Sequence, residues 1–212
     1  MRTLFALVLA LPLAFAAAPV AALQPGVDYQ ILATPQPKSV KHGQIEITEF
    51  FWYKCPHCFN LEPDLNEWRR KLGKDVVFKR VPGILNESWS SLARAYYALE
   101  AIGQLEKLHV DVFEAIHVKG MDLNPPEAFF DWAVTQGVDR KKLAEAYHSF
   151  SVNGQTMRAA QMSRDYKLSG VPAFAVNGKY VTSAYMTGGH PQLFKALDEL
   201  IAMERKAGGK KK

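Results

Sequence analysis

Ile45-Glu46-Ile47-Thr48-Glu49-Phe50-Phe51-Trp52-Tyr53-Lys54-Cys55-Pro56-His57-Cys58-Phe59-Asn60 is the stretch on which the reading of this chain turns. Residues 45–51 alternate at first and then become solidly apolar, as in a strand buried on both faces. The residues from Pro56 to about Leu72 read as a helix closed by Gly73. Cys55 and Cys58 are the only cysteines in the chain, and both fall where the strand gives way to the helix. Free backbone N–H groups and the helix dipole at that point favour a thiolate on Cys55. His57, between the two thiols, can add a hydrogen bond or a positive charge. Lowering the Cys55 pKa stabilises the dithiol, which makes the corresponding disulfide more oxidising. Cys58, a turn into the helix, is expected to be buried and less reactive.

Two other uses of such a pair fit less well. A bridge across two residues closes so small a loop that it removes little entropy from the unfolded chain. A zinc site would need more ligands than two thiolates and His57, which cannot reach one metal tetrahedrally from adjacent positions, and there is no second cysteine pair.

Working outward, the first residues have the form of an export signal. Arg2 is followed by an apolar run from Leu4 to Phe15 and by small residues up to Ala22. The run is too short to span a bilayer, so 1–22 is expected to be a removed signal peptide, cut after Ala22 or, less favourably, near Ala18. About 190 residues then remain, enough for one sizeable core or one domain carrying an insertion. The formal net charge of +5 is concentrated at the end, because Arg205, Lys206, Lys210, Lys211 and Lys212 lie in the last eight residues. Between Leu23 and Met203 there are 20 Lys and Arg against 20 Asp and Glu. A nucleic-acid-binding face is therefore not indicated, and 206–212 reads as a flexible basic tail.

In chain order, an extended arm with a short edge strand at Tyr29–Leu32 precedes the central strand. Val76–Val81 is a further strand. From Asn86 to Leu168 the texture is wholly helical, with five segments: Ser88–Ile102, Leu105–Val118, one opened by Asn124-Pro125-Pro126-Glu127, Arg140–Phe150 capped by Asp139, and Val152–Leu168. Strand texture returns as a hairpin, Ala173–Val176 and Lys179–Thr182 about Asn177-Gly178, and Pro191–Ala202 is a closing helix. The fold class is α/β: strand–helix–strand and hairpin–helix form one unit, with a helical block inserted between them.

Cys-Pro-His-Cys between strand and helix, Gly170-Val171-Pro172 before the hairpin and Val176-Asn177-Gly178-Lys179-Tyr180 within it give a further indication. Taken over the whole mature chain, the sequence resembles the thioredoxin superfamily and, within it, the DsbA family of periplasmic thiol:disulfide oxidants. The resemblance implies a thioredoxin-like fold, 23–85 with 169–205, interrupted by an all-helical insertion at 86–168. It implies Cys55, Pro56, His57 and Cys58 as catalytic residues, and Val171 and a cis Pro172 as the backbone that receives extended substrate. A family Glu–Lys pair suggests Glu49 with Lys79 as a proton relay. Arg80 is an alternative partner for Glu49, and a solvated edge glutamate is the plainer reading. The implied protein is a monomer in the periplasm, needing no cofactor or metal. It would oxidise unfolded exported proteins and be reoxidised by a DsbB-like inner-membrane oxidase. An isomerase or reductase of the superfamily, or a peptide- or metal-binding protein without redox turnover, are the rivals. The histidines other than His57 read as ordinary. The aromatics Phe50, Phe51, Trp52, Phe129, Phe130 and Trp132 read as core or groove wall.

Overall fold

The computed structural model describes residues 22–209. The expected signal peptide, apart from Ala22, and Lys210–Lys212 lie outside them. The chain forms β1 (Gln30–Ile31), β2 (Ile45–Phe51), α1 (Pro56–Arg70) and β3 (Val76–Pro82). A 3-10 turn (Glu87–Trp89) leads to α2 (Ser90–Ala101), α3 (Leu105–His117), α4 (Pro126–Thr135), α5 (Arg140–Tyr147) and α6 (Phe150–Asp165). β4 (Ala173–Val176), β5 (Tyr180–Thr182), α7 (Ala184–Thr187) and α8 (His190–Gly209) complete it.

Among the described residues the five strands are ordered β1-β5-β4-β2-β3, with only β2 and β3 parallel. Every residue of β2 is buried, because strands flank it on both sides and its two faces meet different cores. Ile45 and Ile47 turn to the face packed by Leu61, Leu65 and Trp68 of α1 and Leu193, Leu197 and Leu200 of α8. Phe50 turns to the face closed by the helical insertion, where its ring lies 4.9 Å from that of Tyr166. This is the expected thioredoxin-like sheet with helices inserted between β3 and β4. Among the described residues, no helix is long and apolar enough to cross a membrane.

Several boundaries depart from the sequence expectation for identifiable reasons. Asn124 does not cap α4. A residue before proline is kept out of the helical region, so Pro125, ahead of Pro126, is itself the extended N-cap with ψ 130°. Ser149 starts α6, accepting a bond from the Val152 N–H at 3.2 Å, and so divides α5 from α6 earlier than the apolar spacing implies. The hairpin turn does place Asn177 and Gly178 at positive φ. Its strands first pair at Val176 and Tyr180, however, so the loop holds three residues rather than two. The closing helix continues through Gly209, beyond Ala202 and into the stretch expected to be a flexible tail. Arg205 ties it to Asp75 at 2.7 and 2.9 Å, and buried Glu204 accepts from Asn177 and Lys179.

Gly178 is required twice over. Its φ is +68°, and a Cβ there would collide with the backbone of Gln36, whose N–H donates to the Gly178 carbonyl at 2.7 Å. Gly178→Ala should therefore destabilise the protein by about 2 kcal/mol, seen as a lower urea midpoint with an unchanged slope.

Candidate active site

β2 delivers the chain to the cysteines. It ends at Phe51, and a turn closed by the Cys55 N–H on the Trp52 carbonyl (2.9 Å) leads into α1. Cys55 is the N-cap of α1, with extended backbone, and Pro56 occupies the first helical position, where no N–H is needed. Both cysteines are free. Cys58 is fully buried, whereas Cys55 keeps 7% of its surface exposed. The Val171–Pro172 bond is cis, and it brings the Val171 carbonyl oxygen to 3.3 Å from Cys55 Sγ. The two halves of the predicted site thus meet.

The two thiols differ sharply. A hydrogen bond from the Cys58 side chain is the main reason that the Cys55 thiol is brought down to about 6. The backbone N–H groups of Cys58 and His57 add to it, the His57 charge contributes least, and partial burial opposes all of them. Cys58 is pushed well above the ordinary thiol value by its burial and then by its neighbour Cys55. His57 itself is exposed. Of the two effects expected of His57, a hydrogen bond and a positive charge, the backbone N–H is the larger.

Below the cysteines lies a buried ionic cluster. Glu49 is fully buried, so it is not a solvated edge residue. Its partner is Arg80, whose Nε donates to Oε2 at 2.9 Å, and the expected pair with Lys79 is corrected. The parallel register matches Glu49 with Arg80 and Thr48 with Lys79, so Lys79 projects to the opposite face, where it meets Glu46 at 2.7 Å. Arg80 Nη2 also donates to both carboxylate oxygens of Glu62, at 3.0 and 2.9 Å. One guanidinium thus serves two carboxylates. Glu62 is held below the usual range, because the His109 hydrogen bond and Arg80 together outweigh its large burial penalty. Glu49 is raised to about 7, chiefly by burial, and its Oε1 has no hydrogen-bond partner among the described residues.

Sequence reasoning missed Glu62, His109, His117 and Tyr53. His109 is buried, with Nδ1 2.9 Å from the Tyr53 hydroxyl and Nε2 3.4 Å from Glu62 Oε1. His117 Nε2 lies 2.8 Å from the Tyr53 carbonyl oxygen. Glu62 was legible in principle, since Cys58, Leu61, Glu62 and Leu65 form one helical stripe and a glutamate there must be buried. Of the aromatics, Phe50, Phe51, Phe129, Phe130 and Trp132 are core. Trp52 is half-buried and stacks on Trp89 at 4.0 Å with planes 2° apart. Among the described residues no group of three or more His, Cys, Asp or Glu side chains is arranged to hold a metal ion.

Comparison with known proteins matches this geometry. A family model described as a DSBA-like thioredoxin domain matches residues 46–200. The chain is 40% identical over 202 residues to the thiol:disulfide interchange protein DsbA of Burkholderia cepacia, covering 94% of this chain and 95% of that protein. It is 38% identical over 185 residues to the DsbA of Pseudomonas aeruginosa, covering 87% of each. A crystal structure of Pseudomonas aeruginosa DsbA is similar with a TM-score of 0.83 at 38% identity, over 87% of this chain and 95% of that one. The oxidoreductase NmDsbA1 from Neisseria meningitidis is similar with a TM-score of 0.71 at 26% identity, over 86% and 96%.

Two pH dependences follow. Alkylation of the reduced protein by iodoacetamide should report one thiol titrating near pH 6, lost in Cys55→Ser, with Cys58 unreactive to well above pH 9. The lowered Cys55 value means that its contribution to the stability of the dithiol form is fully present above the ordinary thiol value and is lost as pH falls through about 6. Glu49 has the opposite sign. Its value is raised from 4.5 to about 7, so its contribution is fully present below 4.5 and is lost as pH rises through about 7. Glu49→Gln, which cannot ionise, should gain stability relative to the wild type between those limits, by at most about 3 kcal/mol, measured by urea unfolding at pH 4.5 and 8.

Proposed function

Since the chain belongs to the family of DSBA-like thioredoxin domains and is a thiol:disulfide oxidoreductase acting on protein substrates by thiol–disulfide exchange, we propose that it oxidises newly exported proteins in the periplasm. The split between its two thiols is the observation that carries this reading: Cys55 is near 6 and partly exposed, while Cys58 is raised and buried. A couple whose more accessible sulfur is a stable thiolate favours the reduced enzyme and therefore passes its disulfide on.

In the oxidised enzyme, a substrate thiolate attacks Cys55 Sγ. The Cys55–Cys58 bond breaks, a substrate–Cys55 bond forms, and the electron pair leaves on Cys58. At neutral pH Cys58 takes a proton, and Glu49, protonated up to about pH 7 and with Oε1 unpartnered among the described residues, is the relay for it. A second substrate thiolate then attacks the substrate sulfur of the mixed disulfide. Cys55 departs as a thiolate, held by the Cys58 thiol and the N–H groups of His57 and Cys58. The substrate loses two electrons and the dithiol enzyme gains them. Pro56 fits the first helical position, where its missing N–H leaves no donor unpaired. Val171, beside Pro172, presents backbone to an extended substrate, reading main chain rather than side chains and so suiting many clients.

In this reading the sheet unit, 23–85 with 169–205, carries the chemistry and the insertion at 86–168 walls it. The protein works as a monomer after removal of the leading peptide, and a DsbB-like inner-membrane oxidase restores its disulfide.

The test is refolding of a reduced, denatured multi-cysteine protein with stoichiometric oxidised enzyme. Regain of activity should be accelerated by the wild type and not by Cys55→Ser. No acceleration by the wild type sinks the oxidase reading. Faster rescue of a scrambled substrate than of a reduced one would indicate an isomerase, and stoichiometric zinc on the purified chain would indicate a metal protein.

A further inference from the structure

The turn that leads into Cys55 is gripped from outside its own domain. Tyr53 is buried, and both of its polar ends are taken by α3 of the helical insertion. The hydroxyl meets His109 and the main-chain carbonyl meets His117, two turns further along the same helix. Phe113, between them on that face, packs its ring 5.0 Å from the Tyr53 ring. His117 also stacks on Phe59 with ring centroids 5.0 Å apart and planes 11° apart. Phe59 directly follows Cys58, so one histidine touches the chain just before the first cysteine and just after the second.

We propose that His117 is a positioning residue for the Cys55 sulfur, acting from the helical insertion through the Tyr53 carbonyl. A carbonyl oxygen only accepts, so His117 Nε2 carries the proton and donates. The peptide it holds lies inside the turn from Trp52 to Cys55, whose closing bond is the Cys55 N–H on the Trp52 carbonyl. Rotation of the Tyr53–Lys54 peptide would turn Cys55 away from the Cys58 thiol and from the N–H groups that stabilise it. His109 restrains the other end. Glu62 accepts from Arg80 and Asn66 as well, which leaves His109 Nε2 as a donor to it and Nδ1 as the acceptor for the Tyr53 hydroxyl. His117 touches neither sulfur, so its effect appears in the properties of Cys55 rather than as a lost reacting group.

The inference rests on the oxidase reading of Cys55, and its test does not need that activity. Two substitutions separate the donor from the ring: His117→Phe keeps the stack on Phe59 without an N–H, and His117→Gln keeps an N–H without the stack. We expect His117→Phe to slow alkylation of Cys55 at pH 6 by about two- to tenfold, the range of one hydrogen bond, with the alkylation midpoint moved upward. The dithiol–disulfide equilibrium with glutathione should shift by a similar factor toward a weaker oxidant. His117→Gln should restore most of both. Should His117→Phe fail to fold, as judged by thermal melting, His117→Leu reads the same loss of donor. Wild-type alkylation in the folded donor-less variant overturns the assignment, and so does equal impairment of His117→Phe and His117→Gln. Failure of the wild type in refolding, with these alkylation shifts present, would overturn the oxidase reading and leave the positioning role standing.

Discussion

Arg80 is the cation that hydrogen-bonds both buried carboxylates at the centre of the site. Its guanidinium joins β3, which carries it, to Glu49 on β2 and Glu62 on α1. Burying charges is expensive unless they are paired and hydrogen-bonded. Here the count is uneven, with two carboxylates to one guanidinium. The imbalance is resolved by protonation: Glu62, which also receives His109 and Asn66, keeps its negative charge, and Glu49, with an oxygen that no donor among the described residues reaches, holds a proton up to about pH 7. A protonatable group close to neutrality therefore sits on the central strand, and its charge is felt by Cys58.

The same arrangement explains why the helices are inserted where they are. The sheet has one face covered by α1 and α8, and its other face would be bare without the insertion. The insertion also sets α3 beside α1 and against the end of β2, where Phe51, Tyr53, Tyr96 and Phe113 pack around His109. The insertion thus does more than complete a core. It supplies two imidazoles to the turn before the reactive cysteine, and it adds Trp89 as the stacking partner of Trp52. Packing and chemistry meet in the same few side chains.

Legibility in the sequence followed the range of the interactions. Strand β2, the helix start at Pro56, the hairpin about Asn177-Gly178 and the five inserted helices are written in local period and turn chemistry, and they were read to within a few residues. The convergence of Val171-Pro172 on Cys55 could not be read from spacing and came from family resemblance. Pairings across strands were harder still. Choosing between Lys79 and Arg80 for Glu49 needs the register of two parallel strands, and a slip of one residue exchanges the faces. His109 and His117 read as ordinary histidines because nothing in their neighbourhood marks them. Their partners lie in another part of the fold, on residues chosen by helix orientation.

The asymmetry of the two cysteines needs no special residue between them. Cys55 stands outside the first turn of α1 as its N-cap, where the backbone N–H groups of His57 and Cys58 help to lower its pKa, while Cys58 lies inside, at the start of a stripe that continues through Leu61, Glu62 and Leu65 into the core. Position on the helix makes one sulfur the more accessible thiolate and the other a fully buried thiol. The buried thiol then donates to the thiolate, so each sulfur sharpens the difference in the other. Opening the disulfide creates this donor–acceptor pair and closing it destroys the pair. The preference for the reduced form is therefore built into the position of two cysteines on one helix turn, and Arg80, Glu49 and the α3 histidines act on a couple whose direction that turn has already set.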